Sequence, residues 1–321
     1  MAEYVKNEVM DWARENVRGQ WTTVMTPFDE NDQIDELALR HNIRHIRSLG
    51  TRGGGFSWNM GEFWSLTREE RIQLFEIASD EANGEWPIAA QVTHTSVKEM
   101  LNLADSAEAL GFDMLIVGAP YMVTKTNDQV IDFVKILAEY SNLGIMFYNT
   151  PQFGIVLDTY SLGKICDIPN VVGVKEASFN PEISIESHQK IGTRAIISTP
   201  DEWILFKGKE LGFEQQVMFA NTSDWRFDLP GSSSYVKFID KAMTGVLDQD
   251  FYDKNVKPIK SVSDKWWAYT VNKMNGVLPV AMCKFWGEVM GLKHGHVRAP
   301  IAELSDEEKD QLKTEIKSIL G

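Results

Sequence analysis

The chain has 321 residues, 43% hydrophobic and 24% charged, an ordinary globular composition sufficient for one large domain or two average ones. Its 46 acidic and 32 basic side chains leave a formal charge of −14, which argues against nucleic acid and anionic membrane as partners. No apolar run approaches the length of a membrane span. Met1 to Arg18 is amphipathic and mixed in charge, so it resembles neither a signal peptide nor a transit sequence. Cys166 and Cys283 lie far apart and suggest no disulfide framework or zinc site. A soluble, cytoplasmic protein is the expectation.

A helical arm is expected over Glu3–Glu15. The run Gln20–Phe28 reads as a strand entering a turn at Asp29–Asp32, and Leu37, Ile43, Ile46 and Leu49 mark a helix that stops at Gly50. A short strand centred on Gly55-Phe56-Ser57 follows, and Thr67…Glu70 forms a capping box for the next helix. The pattern then repeats: strand Trp86–Val92, box Ser96…Glu99, strand Met114–Gly118, box Thr126…Gln129. Ile145–Tyr148, Val171–Lys175, Ala195–Ser198 and Val217–Ala220 complete a set of eight short apolar strands alternating with helices. Such strands belong to a parallel sheet covered by helices on its faces, and eight units in about 230 residues fit a (β/α)₈ TIM barrel. A doubly wound open sheet is the runner-up, but no GxGxxG or Walker lysine follows the first strand. Helical stretches at Tyr235–Thr244, Asp248–Val271, Pro279–Met290 and Ser305–Leu320 suggest a barrel over residues 1–232 and a C-terminal helical extension over 233–321, packed on it.

In a barrel of this kind the site lies at the C-terminal strand ends. Those ends offer Thr26, Asn59 to Glu62, His94, Tyr121, Tyr148, Lys175, Asp201-Glu202 and Asn221-Thr222 in strand order. Lys175 closes the run Val171-Val172-Gly173-Val174, where lost solvation disfavours the ammonium and lowers the pKa. A neutral amine is what Schiff-base chemistry with a carbonyl substrate requires, and Tyr148 on the neighbouring strand end can shuttle its protons. The plainer alternative is a strand-end lysine paired with Glu176 and pointing at solvent. His41 and His45 have the i, i+4 spacing of a helical metal pair, but they lie on a helix expected to face away from the strand ends and lack a nearby third ligand.

Several segments resemble the dihydrodipicolinate synthase and N-acetylneuraminate lyase family. They are Thr26-Pro27-Phe28, Gly61-Glu62 followed by Leu66-Thr67, Tyr148-Asn149-Thr150-Pro151, Gly173-Val174-Lys175-Glu176, and Met290-Gly291-Leu292 with Arg298-Ala299-Pro300. These landmarks span nearly the whole chain in the family's order. The resemblance implies a (β/α)₈ barrel with a helical C-terminal region, commonly a homotetramer. It also implies a Schiff base between Lys175 and the keto carbon of pyruvate or another 2-oxo acid, with Tyr148 as acid/base and no cofactor. A binding protein that uses the same pocket is the non-enzymatic alternative, but binding alone needs no buried amine.

Departures from the family pattern bear on the substrate. The turn that holds the substrate carboxylate carries Asn59, Met60 and Gly61, where family members usually place two hydroxyl residues before the Gly-Glu pair. The family tyrosine that enters a neighbour's site falls near Met122, with Tyr121 adjacent, and the synthase's arginine falls near Phe153. Aromatic residues crowd the mouths: Trp58, Phe63, Trp64, Phe153 and Trp225. The branch most resembled is the hydratase-aldolases, which cleave aryl-ylidene pyruvates to an aromatic aldehyde and pyruvate. Gly19-Gln20-Trp21 and Asn275 carry that likeness. Against it, Asp201-Glu202 resembles the acidic pair with which sugar-acid lyases of the family bind hydroxyls. Aromatic aldehyde plus pyruvate is therefore expected ahead of sugar-acid cleavage, with dihydrodipicolinate synthesis third.

Overall fold

A computed structural model describes residues 4–213 and 217–320. Glu3, where the arm was expected to begin, lies outside the described residues, and α1 spans Val9–Asn16. Eight strands follow in alternation with helices: β1 (Gly19–Thr23), α2 (Glu36–Ser48), β2 (Gly53–Phe56), α3 (Arg68–Ala82), β3 (Ile88–Gln91), α4 (Val97–Ala109), β4 (Met114–Gly118) and α5 (Asn127–Tyr140). The second half comprises β5 (Gly144–Asn149), α6 (Thr159–Cys166), β6 (Val171–Glu176), α7 (Pro181–Ile191), β7 (Ile196–Ser198), α8 (Trp203–Leu211) and β8 (Met218–Asn221). All pairings are parallel, in the order β7-β6-β5-β4-β3-β2-β1-β8, which gives a nearly closed (β/α)₈ barrel with its seam between β7 and β8. The β5–β6 register sets Tyr148 directly opposite Lys175.

The strands are buried on both faces, as their unbroken apolar runs require. Large rings lie across positions that have no side chain. A Cβ on Gly55 would meet the Trp58 indole and one on Gly118 the Phe153 ring, so glycine at these two positions creates seats for aromatic groups. The boxes Thr67…Glu70 and Thr126…Gln129 close in both directions. Ser96 caps α4 but its box stays half formed, because the Glu99 carboxylate reaches Arg68 instead (3.3 Å).

Two expectations are corrected. β1 stops at Thr23, because Thr26 turns to donate its hydroxyl to the Gly61 carbonyl (2.8 Å) and Pro27 cannot extend a strand ladder. The helix expected over Asp248–Val271 is two, α11 (Gln249–Asn255) and α12 (Lys257–Lys273), since Pro258 supplies no N–H and starts a new first turn. α9 (Ser223–Phe227) directly follows β8, and after it come α10 (Ser234–Met243), α13 (Val280–Val289) and α14 (Asp306–Leu320) together with α11 and α12. A fully buried ion pair, Lys284 to Glu62 at 2.6 Å, ties α13 to the loop after β2. His41 Nε2 donates to the Gly291 carbonyl at 3.0 Å, which occupies the ring on the outer helix layer. Among the described residues no helix is long and apolar enough to cross a membrane.

Candidate active site

Lys175, the penultimate residue of β6, lies inside the barrel mouth, 5% exposed. Its Nζ lies 4.4 Å from the Trp58 ring centre and 4.5 Å from that of Tyr148, and no carboxylate pairs with it among the described residues. Glu176 points the other way, as strand alternation demands, and accepts from the Ser178 N–H (3.0 Å) and the Ser184 hydroxyl. A solvent-facing Lys175–Glu176 pair is therefore not formed. Burial alone pushes the Lys175 amine down to about 7, so a large fraction is neutral near pH 7. Burial likewise raises the Tyr148 phenol far above its ordinary range, and the Thr150 hydroxyl beside it partly offsets that rise. The phenol thus stays protonated at rest and can donate. Thr150, two residues on and just past the end of β5, is a hydroxyl partner that the strand-end residues alone do not suggest.

A cavity of about 380 Å³ opens from this amine, and its lining separates the expected site residues into two groups. Lys175, Tyr148, Met60, Asp201, Glu202 and Asn221 line it. Asn59, Gly61, Tyr121, Phe153 and Asn275 do not. Asn59 and Gly61 sit buried in the turn with Met60, where the Asn59 Oδ1 accepts from Gln91 Nε2 (3.2 Å) and the Asn59 Nδ2 has no partner among the described residues. Phe153 is buried against Tyr148 (5.8 Å between ring centres), and Tyr121 stacks on it at 6.5 Å. Asn275 occupies an exposed turn after α12 with φ +52°, a conformation asparagine tolerates well.

The aromatic lining differs from expectation. Of Trp58, Phe63, Trp64, Phe153 and Trp225, only Trp58 touches the amine. Phe63 packs with Trp64, Tyr121 and Phe153, while Trp225 is fully buried and donates to the Thr23 carbonyl (3.3 Å). The rings that face the cavity are Phe179, Trp203, Phe227 and Trp267. Trp267 follows from helical spacing on α12, where Lys260, Ser263, Asp264 and Trp267 share one stripe and all reach the cavity.

Charges at this end are mostly paired. Lys260 Nζ lies 2.9 Å from Asp264, 3.4 Å from Asp201 and 3.8 Å from Glu202. Burial and the neighbouring Asp201 push Glu202 up to about 7, against the pull of Lys260 and a hydrogen bond with Tyr235. Asn221 is a hub, accepting from Gln20 (2.8 Å) and donating to Tyr235 (2.8 Å) and the Pro200 carbonyl (3.0 Å).

A model of the dihydrodipicolinate synthetase family matches residues 16–266. The chain belongs to that family. It is accordingly a class I, pyruvate-dependent enzyme of the lyase and synthase type, which works through a lysine Schiff base and needs no cofactor. Among relatives, a 4-hydroxy-tetrahydrodipicolinate synthase of Oceanobacillus iheyensis is 27% identical, over 91% of this chain and 94% of its own. Similar solved structures include a prophage protein of the family from E. coli K12 in complex with pyruvate (TM-score 0.81, 20% identity, 94% and 98% of the two chains). Proteus mirabilis N-acetylneuraminate lyase is another (TM-score 0.79, 19% identity, 95% and 99%). At these identities the solved structures speak for the fold.

Proposed function

We propose that the chain cleaves aryl-ylidene pyruvates to an aromatic aldehyde and pyruvate, with Lys175 as the nucleophile and Tyr148 as the proton shuttle. The observation that carries the mechanism is the buried amine of Lys175, without a carboxylate partner among the described residues and held between the Trp58 and Tyr148 rings. Its nitrogen attacks the keto carbon, and water leaves the carbinolamine after Tyr148 protonates the hydroxyl. Water adds across the substrate double bond, and Tyr148, having given up its proton, takes the new hydroxyl's proton as the carbon–carbon bond breaks and the aldehyde leaves; the enamine that remains takes a proton at carbon to become the imine, whose hydrolysis frees pyruvate. In sum, one water is consumed per substrate. Met60 presents a backbone N–H with no acceptor among the described residues, suited to the 2-oxo acid carboxylate beside the amine.

Support for an aromatic aldehyde half comes from the cavity walls Phe179, Trp203, Phe227 and Trp267 and from Phe153, which fills the expected arginine position with a buried ring. The acidic pair favours a second reading, sugar-acid cleavage, because Asp201 and Glu202 do line the cavity. Lys260 and Tyr235 already occupy them, which weakens it. Dihydrodipicolinate synthesis, the activity in the names of the curated relatives, ranks third. A cytoplasmic homotetramer goes with this reading, with Tyr121 near a neighbour's site. Light scattering of the purified protein checks the assembly.

Incubation with pyruvate and borohydride tests the mechanism: a pyruvyl adduct is expected on Lys175. No adduct, or one on another lysine, overturns it. Pyruvate release from benzylidenepyruvate, a 2-keto-3-deoxy sugar acid and N-acetylneuraminate, assayed in parallel, ranks the substrates, and faster turnover of either sugar acid refutes the aromatic assignment.

A further inference from the structure

The three consecutive glycines of β2 each lie against an indole. A Cβ on Gly53 would meet the ring of Trp21, one on Gly54 that of Trp86 and one on Gly55 that of Trp58. Of the three indoles, only Trp58 meets a cation. It is fully buried, and its ring centre lies 4.4 Å from the Lys175 Nζ, well inside the range of a cation–π contact. The Tyr148 ring is a second face at 4.5 Å. Other lysines that approach rings are handled differently. Lys284, buried over Phe28 at 4.3 Å, also holds Glu62 at 2.6 Å. Lys265, over Trp266 at 5.8 Å, stands at the surface and holds Glu315 at 2.6 Å. Lys175 is buried with two rings and no carboxylate among the described residues.

The chemistry makes this arrangement consequential. Condensation with a 2-oxo acid turns the Lys175 nitrogen into an iminium, which is cationic at any pH where the free amine is already neutral. That charge stands where water is excluded, and a buried charge with no partner is costly. An indole face is the best of the aromatic faces for a cation, and the attraction strengthens when both groups are desolvated. The Gly55 seat fixes the ring in place under the nitrogen, because a larger residue there would collide with it. The Trp58 Nε1 has no hydrogen-bond partner among the described residues, so the ring's contact with the amine is made by its face.

We propose that the Trp58 ring takes the place of a counter-ion, holding positive charge at the Lys175 nitrogen and above all in the protonated Schiff base, which makes Trp58 a catalytic residue beside Lys175 and Tyr148. This rests on the aldolase reading above, which Lys175 trapping tests separately. It is independent of which aldehyde the enzyme releases.

The test replaces Trp58, by site-specific incorporation, with tryptophans bearing one, two and three ring fluorines. Fluorine leaves the shape nearly unchanged and withdraws electron density from the face, while making the N–H a better donor, so the two roles of the ring respond with opposite signs. Half-saturating pyruvate is read from cyanoborohydride trapping on Lys175. Near pH 8.5 the resting amine is neutral and the Schiff base cationic, so the value should rise stepwise along the series, by roughly three- to thirtyfold in all. Near pH 5.5 both states are cationic, and the rise should shrink to about twofold or less. An equal rise at both pH values means packing alone and overturns the proposal, as does a flat series. Tighter pyruvate with added fluorine assigns the N–H to the substrate and overturns it as well. Benzothienylalanine at position 58, which keeps the face and lacks the N–H, should retain most of the affinity; a loss as large as in Trp58→Leu overturns the proposal. The amine is also titrated without pyruvate, from the pH dependence of Lys175 acetylation by acetic anhydride, and its midpoint should fall by up to about one pH unit along the series. Should no pyruvate adduct form at all, the aldolase reading fails and this titration decides the ring on its own. A falling midpoint upholds the face as the holder of charge, and an unchanged one overturns it.

Discussion

Replacing Lys175 with methionine should stabilise the protein at neutral pH, and by an amount that fades as pH rises. The buried amine is depressed from 10.5 to about 7 by desolvation. An unfolded lysine keeps its ordinary affinity, so between these two values unfolding takes up a proton and the folded state gains stability with rising pH. At about 1.4 kcal/mol per tenfold in proton affinity, the amine costs the fold about 4 kcal/mol at pH 7 and about 2 kcal/mol at pH 9. Methionine matches the length of the stem and does not titrate, so any packing difference between the two side chains is independent of pH. Urea unfolding of both proteins at the two pH values isolates the electrostatic part. The stability difference, variant minus parent, should shrink by about 2 kcal/mol from pH 7 to pH 9. A difference that stays flat with pH would mean that the amine is solvated and that its depressed pKa, with the nucleophile assignment built on it, is wrong.

Borohydride trapping with pyruvate should speed up about tenfold per pH unit below 7 and level off above it, as the neutral amine accumulates; a rise that continues to pH 10 contradicts the depressed value. Tyr148→Phe should lower kcat by roughly 10²–10⁴-fold with the circular dichroism spectrum unchanged, and a near-normal rate would move the proton shuttle to another group. Gly118→Ala places a methyl group against the Phe153 ring and should displace it from Tyr148, reducing turnover more than pyruvate binding. Glu62→Gln strands the Lys284 ammonium in the interior and should cost roughly 3–5 kcal/mol in urea unfolding, with part of the loss recovered in Glu62→Leu/Lys284→Met.

The barrel was legible because each strand is short, apolar on both faces and followed by a recognisable helix start. The same reading placed Tyr148 and Lys175 side by side, since consecutive strands of a parallel barrel pair in order. It missed what depends on contacts across distant segments. Thr150 is the local exception: it follows the last residue of β5, so a reading confined to strand ends names Tyr148 without the hydroxyl beside it. Arg226 stands among Trp225, Phe227 and Asp224 in sequence, and nothing local reveals that it lines the cavity. Proximity to strand ends does not decide where the aromatic residues point: Trp225 turns inward to Thr23, while Trp267, on α12, lies more than 40 residues beyond the last strand. Composition could report that rings crowd this protein, not which way each one turns.

The stripe Lys260, Ser263, Asp264 and Trp267 on α12 separates two kinds of change. The reacting groups stand on β5 and β6, in the barrel wall, where the paired register holds them whatever the far side of the cavity becomes. The four side chains on α12 sit on one exposed-edge helix, and mutating them leaves that wall intact. Randomising these four codons, with Lys175 and Tyr148 untouched, gives a small library in which the aldehyde partner drifts while the amine chemistry persists. A duplicated copy of this chain could diverge by the same route, acquiring new aldehydes one helical turn at a time.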